Sequence, residues 1–227
     1  TDDTKIQMMS EGCLPEYVNT AIEVAEVNKD KPNRWISSNP QAYVKWFEEI
    51  NEPFASEYRS ERKRRIFESN KNIYNSEEDV PEYFNKSSLQ MAIQLLKRAR
   101  DVYFSKLGKE KEKLKPISAI ISTIVLDTAK RDLIPHSADV IEVIKIVLNE
   151  LKTYSKYQQL SEERFKELYE SKVTISKKGA KWEMWNPVNP KDNLVDGWNT
   201  EPERAKLFFE WILNLDKTIL EILDENN

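Results

Sequence analysis

Leu89-Gln90-Met91-Ala92-Ile93-Gln94-Leu95-Leu96-Lys97-Arg98-Ala99-Arg100-Asp101 is the stretch on which the fold turns. It holds neither Gly nor Pro, and most of its residues are strong helix formers. Leu89, Ala92, Ile93, Leu96, Ala99 and Tyr103 recur at three- and four-residue spacing, which places them on one face of a helix. Ser87 or Ser88 is the expected cap, because a hydroxyl there accepts from a backbone N–H that the first turn leaves unpaired.

The same pattern continues toward the C-terminus. A charged segment from Lys106 to Lys115 leads to Pro116, and Ile117, Ile120, Ile121, Ile124 and Val125 then predict the central core helix. Asp132 to His136 turns the chain. Ser137 is the expected cap of a helix carrying Ile141, Ile144, Leu148 and Leu151. A shorter helix from Ser161 carries Phe165, Leu168 and Tyr169. Residues 173 to 200 hold loop signals: Lys178-Gly179, Asn186-Pro187, Asn189-Pro190 and Asp196-Gly197. A last helix from Glu201-Pro202 carries Ala205, Phe208, Phe209, Ile212, Leu215, Ile219 and Leu223.

Toward the N-terminus, Ser38-Asn39-Pro40 is a helix start, with Pro at the first helical position and the helical pattern running from Ser37. Tyr43, Phe47 and Ile50 form its stripe, with Trp46 beside it. Residues 54 to 72 read as a charged, exposed helix around Tyr58 and Ile66-Phe67, and Asn75 to Pro81 as a loop. Strands are expected only within residues 1 to 27, weakly at Lys5-Ile6-Gln7-Met8-Met9 and better at Thr20-Ala21-Ile22-Glu23-Val24. Two short strands make no stable sheet alone, so they either pack on the helical body or end a larger sheet. The fold class expected is mainly α, a bundle-like helical body with a short β-type N-terminal remnant, α+β overall.

Composition narrows the function classes. Of 227 residues, 39% are hydrophobic, 33% are charged and only 4 are Gly, a mix that suits a helical globular chain. No apolar run is long enough to span a membrane, and Thr1-Asp2-Asp3-Thr4 lacks the basic and apolar regions of a signal peptide. The single Cys, Cys13, cannot form an internal disulfide, which makes the cytoplasm the expected compartment. One His and one Cys exclude a Cys/His zinc site. At a net charge of −4, no stable nucleic-acid binding is expected. The basic runs at Arg59 with Arg62-Lys63-Arg64-Arg65, at Lys97-Arg98 with Arg100, and from Lys106 to Lys115 are all interleaved with or flanked by acids.

Four stretches, in order, resemble the bacterial cGAS/DncV-like nucleotidyltransferases (CD-NTases), in their C-terminal, OAS-like helical domain. They are Trp35-Ile36-Ser37-Ser38-Asn39-Pro40 through Tyr43 to Trp46-Phe47; Leu89 to Asp101; Lys115-Pro116-Ile117-Ser118-Ala119-Ile120-Ile121-Ser122-Thr123; and Asn186-Pro187-Val188-Asn189-Pro190 through Asn193 to Trp198-Asn199. The resemblance implies a synthase of cyclic oligonucleotide second messengers from NTPs such as ATP, acting in CBASS-type antiviral defence. It implies two domains here. Residues 1–34 would be a remnant of the nucleotidyltransferase core, its last strands at Leu14-Pro15 and Thr20 to Val24. Residues 35–227 would be the helical domain that closes the nucleotide cleft.

Nucleotidyl transfer of this kind uses Mg²⁺, held by hard carboxylate oxygens. The family carries an Asp/Glu-x-Asp pair after a Gly-Ser turn and a third acid three residues before a Pro. This sequence has no Gly-Ser dipeptide, and its Glu77-Glu78-Asp79 lies in an expected loop. In Glu11-Gly12-Cys13-Leu14-Pro15 the third position is Gly12, with Glu11 adjacent, so either the alignment slips by one or the acid is lost. The expectation is therefore Mg²⁺ in the complete enzyme but neither metal ligands nor catalytic acids in this chain.

What the resemblance does assign is phosphate contact, to Lys97 and Ser118. Ser118 lies in the first turn after Pro116, where backbone N–H groups and the helix dipole favour an anion. Lys97 shares its helix with the core face and can reach a cleft edge. The alternatives are a solvated lysine and an ordinary helix-start serine. Arg98, Arg100 and Lys115 are weaker candidates, solvated or paired with Asp101. Trp46 and Trp211 read as core. Trp182, Trp185 and Trp198 either pack their segment down or stack on a base. His136 is no candidate base, and Cys13 is apolar filler.

Two functions stay open. One is the helical part of a nucleotidyltransferase. The other is a non-catalytic module that binds a nucleotide or a partner, such as a regulatory protein or a homologous synthase.

Overall fold

The computed structural model describes residues 2–26, 34–69, 86–169 and 173–224. It is mainly helical, with short antiparallel strand pairs, as the composition requires. The chain forms two compact units, one of residues 1–49 and 156–204, the other of residues 50–155 and 205–227. This is a partition by contact, whereas the expected boundary between residues 34 and 35 is one of ancestry.

The first unit begins with helix α1 (Asp2–Ser10) and the one-turn helix α2 (Pro15–Val18). Both correct an expected strand. Lys5 to Met9 is built of helix formers and follows Asp2 and Asp3, whose charges suit the positive end of a helix, and one face inserts Met8 into the core. Pro15 sits in the first turn of α2, where its missing N–H costs nothing, so Leu14-Pro15 starts a helix. Gly12 closes α1 with φ +93°: its N–H bonds Met9 O and the Cys13 N–H bonds Met8 O, both at 3.0 Å. That is a left-handed helix stop, and it accounts for a glycine at this position.

Strand β1 (Ile22–Glu26) overlaps the expected Thr20–Val24 but starts two residues later, since Thr20 lies in the turn after α2. It pairs antiparallel with β2 (Arg34–Ser38), a strand beyond the expected residues 1–27. The helical pattern read from Ser37 therefore starts too early. The strand runs to Ser38, and helix α3 (Pro40–Ser69) follows once Asn39 caps it. The helix predicted over 54–72 is the continuation of α3. The loop expected at 75–81, with Glu77-Glu78-Asp79, lies outside the described residues.

After a 3₁₀ turn at Lys156–Gln158 comes α8 (Glu162–Tyr169), whose first turn is capped by Ser161, with Phe165 buried and Leu168 exposed. Residues 173 to 200 are more ordered than loop signals imply. They form strands β3 (Ser176–Lys178), β4 (Lys181–Glu183), β5 (Trp185–Asn186) and β6 (Asn189–Asn193), then helix α9 (Asp196–Thr200). The turn signals are real, but they mark hairpin turns. Lys178 pairs with Lys181 around Gly179 at φ +60°, and Asn186 pairs with Asn189 around Pro187-Val188. The strands are too short to show alternation. Asparagines bind the segment together: Asn199 accepts from Trp182 N at 2.7 Å and donates to Trp182 O at 2.9 Å. Asn189 donates to Ser37 O at 3.0 Å, tying β6 to β2.

The second unit holds the part of α3 from Ile50 onward, α4 (Ser88–Ser105), α5 (Lys109–Glu112), α6 (Ser118–Lys130), α7 (Val140–Ser155) and most of α10 (Glu203–Asp224). α4 packs on both α6 and α7, and α6 on α7. Ser87 caps α4 in a capping box: its Oγ accepts from Gln90 N at 3.1 Å and Gln90 Oε1 accepts from Ser87 N at 3.0 Å. The buried face of α4 is Leu89, Ala92, Ile93, Leu96, Arg100 and Phe104, so at its C-terminal end it drifts one residue past the expected Ala99 and Tyr103. α6 is the expected core helix, with Ile120, Ile121, Ile124 and Val125 buried, while Ile117 is exposed at its cap. α7 is capped by Asp139, which accepts from Glu142 N at 2.9 Å, and not by Ser137. Its inner face is Val143, Ile144, Val147, Leu148 and Leu151, and Ile141 faces out.

Candidate functional site

Lys97 and Ser118 both belong to the second unit, and Arg100 links them. Arg100 follows Lys97 by three residues on α4, so the two side chains are neighbours on the helix surface. Arg100 is 6% exposed. Nη1 donates to Pro116 O at 2.8 Å and to Ser118 Oγ at 3.3 Å, and Nε donates to Asp101 Oδ1 at 3.1 Å. Lys115 Nζ lies 3.3 Å from the same Asp101 oxygen. Burial alone would raise the Asp101 carboxyl. The hydrogen bond from Lys115, then the charge and hydrogen bond of Arg100, outweigh it and hold the carboxyl below 3.8.

Lys97 is half-buried and, among the described residues, has no carboxylate partner. Burial first, and the charge of Arg100 second, hold its ammonium below the ordinary lysine value of 10.5. A cation in that position lacks compensation, and an anion would supply it.

Ser118 is the first residue of α6 and is exposed. Ile117, at the cap position, makes no side-chain cap bond, and the Arg100 guanidinium lies at this helix start, on Pro116 O and Ser118 Oγ. Arg98 is solvent-exposed, and Lys115 is committed to Asp101.

Sequence reasoning underrated Arg100. The signal was present: positions 89, 93, 96 and 100 continue the core stripe, so an arginine there had to be buried and partnered.

The donors gathered here are cations and a hydroxyl, while the local carboxylate is spent on Arg100 and Lys115. Such a set fits phosphate oxygens and does not fit Mg²⁺. Among the described residues no group of three or more His, Cys, Asp or Glu side chains is placed to hold a metal ion.

The first unit has a cleft of about 870 Å³ lined by residues that include Ser37, Lys181, Trp185, Lys191 and Asp196. Trp185 is 50% exposed there. The asparagines of its wall are already used: Asn193 bonds Met184 N and Trp182 O, and Asn199 bonds Trp182. Trp182 and Trp198 are buried and meet edge to face with centroids 5.7 Å apart, which is packing. Trp46 and Trp211 are core as well. His136 is exposed, its ring edge against Phe54. Cys13 is buried, with Sγ 3.4 Å from Val188 O, and burial pushes its thiol up, away from thiolate chemistry. Among the described residues no helix is long and apolar enough to cross a membrane.

No family model matches the chain. It is similar to a c-di-GMP synthase of Roseivirga ehrenbergii, 27% identical over 204 residues, which are 90% of this chain and 44% of that protein. The chain thus spans less than half the length of that relative. The likeness is that of a distant homologue and points to a nucleotidyltransferase superfamily relationship.

Proposed function

We propose that this chain is the helical, phosphate-holding part of a CD-NTase-like nucleotidyltransferase that joins NTPs into a cyclic oligonucleotide signal, in bacterial antiviral defence of the CBASS type and in the cytoplasm. The observation that carries the reading is Lys97, half-buried and without a carboxylate partner among the described residues, next to Arg100 and its bond to Ser118. The ordered stretches around Lys97 and Ser118 support it, as does the likeness to a protein named as a c-di-GMP synthase. In this reading residues 1–34 are the end of the catalytic core and 35–227 the closing domain. The NTP phosphates lie against Lys97 and Ser118, and Mg²⁺ is held by carboxylates other than those gathered here.

The donor set also favours a second reading. A site with phosphate donors and no metal-holding cluster among the described residues suits a module that binds a nucleotide without transforming it, alone or with a regulatory protein or a homologous synthase.

Calorimetric titration of the 227-residue chain with ATP, GTP, CTP and UTP tests what the readings share. Binding that weakens by about tenfold in Lys97→Ala is the expected result, the size of losing one charged contact to phosphate. Equal affinity in the unaltered chain and the variant removes the assignment. Incubation with labelled NTPs and Mg²⁺ tests the expectation on the acids: oligonucleotide product from this chain overturns both the lack of catalytic acids and the non-catalytic reading.

A further inference from the structure

We propose that Arg100 is a positioning residue, which fixes Ser118 as a hydrogen-bond donor toward a bound phosphate. This inference rests on the phosphate site described above.

A guanidinium only donates. At 3.3 Å from Arg100 Nη1, the Ser118 hydroxyl must therefore act as acceptor in that contact. A serine hydroxyl has one proton and two lone pairs. With a lone pair taken by Arg100, the proton points elsewhere, and among the described residues no protein group accepts it. The Ser118 carbonyl is already engaged, by Ser122 Oγ at 3.1 Å. An exposed hydroxyl whose proton no described protein group accepts, at a helix start without a side-chain cap bond, can donate to a phosphate oxygen.

The clamp requires arginine. Nη1 reaches Pro116 O at 2.8 Å and Ser118 in one direction, while Nε and Nη2 face Asp101 at 3.1 and 2.9 Å in another. A planar fork serves both directions at once, and a lysine ammonium reaches only one of them. Asp101 holds the plane, and the Pro116 carbonyl holds the turn that opens α6.

The test is a double-mutant cycle on the full chain, with inorganic tripolyphosphate and ATP as probes and circular dichroism as the check on folding. Arg100→Lys and Ser118→Ala are each expected to weaken binding about tenfold. The double variant should be no weaker than Arg100→Lys alone, because the serine is useful only when oriented. Losses that multiply overturn the inference, and so does unchanged affinity in a folded Arg100→Lys chain. If Arg100→Lys does not fold, Ser118→Ala decides, since its site is exposed: full affinity without the hydroxyl refutes a donor role. Lys97→Gln separates the two levels. Weakened binding there, with no effect of Ser118→Ala, sinks the role of Arg100 and keeps the phosphate site. No binding by the unaltered chain overturns both.

Discussion

Asn39 Nδ2 donates to the main-chain carbonyl of Tyr17 at 2.6 Å, although the two residues lie 22 positions apart. The same side chain accepts from Ala42 N at 3.3 Å and from Thr20 Oγ1 at 2.8 Å. One buried amide thus caps α3 and pins α2 beside it. Asn39→Ala removes the cap and leaves the Tyr17 carbonyl without that donor. We expect a loss of about 1.5 kcal/mol, from a cap worth about 1 and one lost bond to a carbonyl that still accepts from Thr20 Oγ1 at 3.1 Å. Asn39→Asp keeps the cap oxygen and loses the donor, so it should recover only part. Urea midpoints of the three chains check this, and equal midpoints for Asn39→Ala and the unaltered chain contradict it.

That amide shows what the sequence can and cannot reveal. Ser38-Asn39-Pro40 announces a helix start because capping is local, and Ser87 before α4 is legible for the same reason. The partner at Tyr17 is invisible, since nothing local fixes which carbonyl comes near. The hairpins after Ser176 are not legible because β3, β4 and β5 have only two or three residues and β6, Asn189-Pro190-Lys191-Asp192-Asn193, has no apolar alternation, so only the turns carry a signal. At the candidate site Lys97 and Ser118 were legible only through resemblance. Arg100 could have been found from helical spacing alone, as a charge on an apolar stripe.

Arg131, Glu150 and Tyr154 form a network in the second unit. Arg131 lies 2.8 Å from Glu150 and 2.9 Å from Asp127, and the Tyr154 hydroxyl donates to Glu150 at 2.6 Å. Both ends of the Arg131–Glu150 pair are about one-fifth exposed, at 19% and 21%, so solvent screens it only in part. Burial pulls Arg131 down, and the partners more than offset it. Glu150→Ala leaves the guanidinium with Asp127 and strips a buried phenol of its acceptor. The expected cost is about 2 kcal/mol, below the range for a fully buried pair. A urea midpoint unchanged in Glu150→Ala would count against the network.

Alkaline stability of the first unit should depend on Tyr157 and Tyr17. Tyr157 is 2% exposed, and burial, with the charge of Glu162 behind it, pushes its phenol up to about 12. Tyr17 is raised too, by burial first and then by its 2.6 Å hydrogen bond to Glu49. A folded value above the unfolded value of 10.0 means that the native state holds the proton more tightly. The resulting stability is fully present below pH 10 and is lost as pH rises toward about 12. Phenolate absorbance and circular dichroism, followed together, should show these phenols ionising as structure is lost. In Tyr157→Phe the alkaline transition should move upward. Ionisation of Tyr157 at the ordinary value in a folded chain rules the account out.

Lys97 gives a pH dependence of opposite sign. Its folded value lies below the 10.5 of an unfolded lysine, through burial first and Arg100 second. The charged ammonium therefore costs stability at neutral pH, and that cost lifts as pH rises through the lowered value toward 10.5. A bound phosphate reverses the balance, because it stabilises the ammonium and raises its value again. Binding in the alkaline range then takes up a proton, and ATP affinity should begin to fall at a pH below 10.5. Lys97→Arg should bind ATP at neutral pH and keep its affinity further into the alkaline range, since a guanidinium stays charged there. Titration calorimetry in buffers of different ionisation enthalpy reads the proton uptake directly. An affinity that falls at the same pH in Lys97→Arg as in the unaltered chain would place the titrating group elsewhere and leave Lys97 a surface lysine.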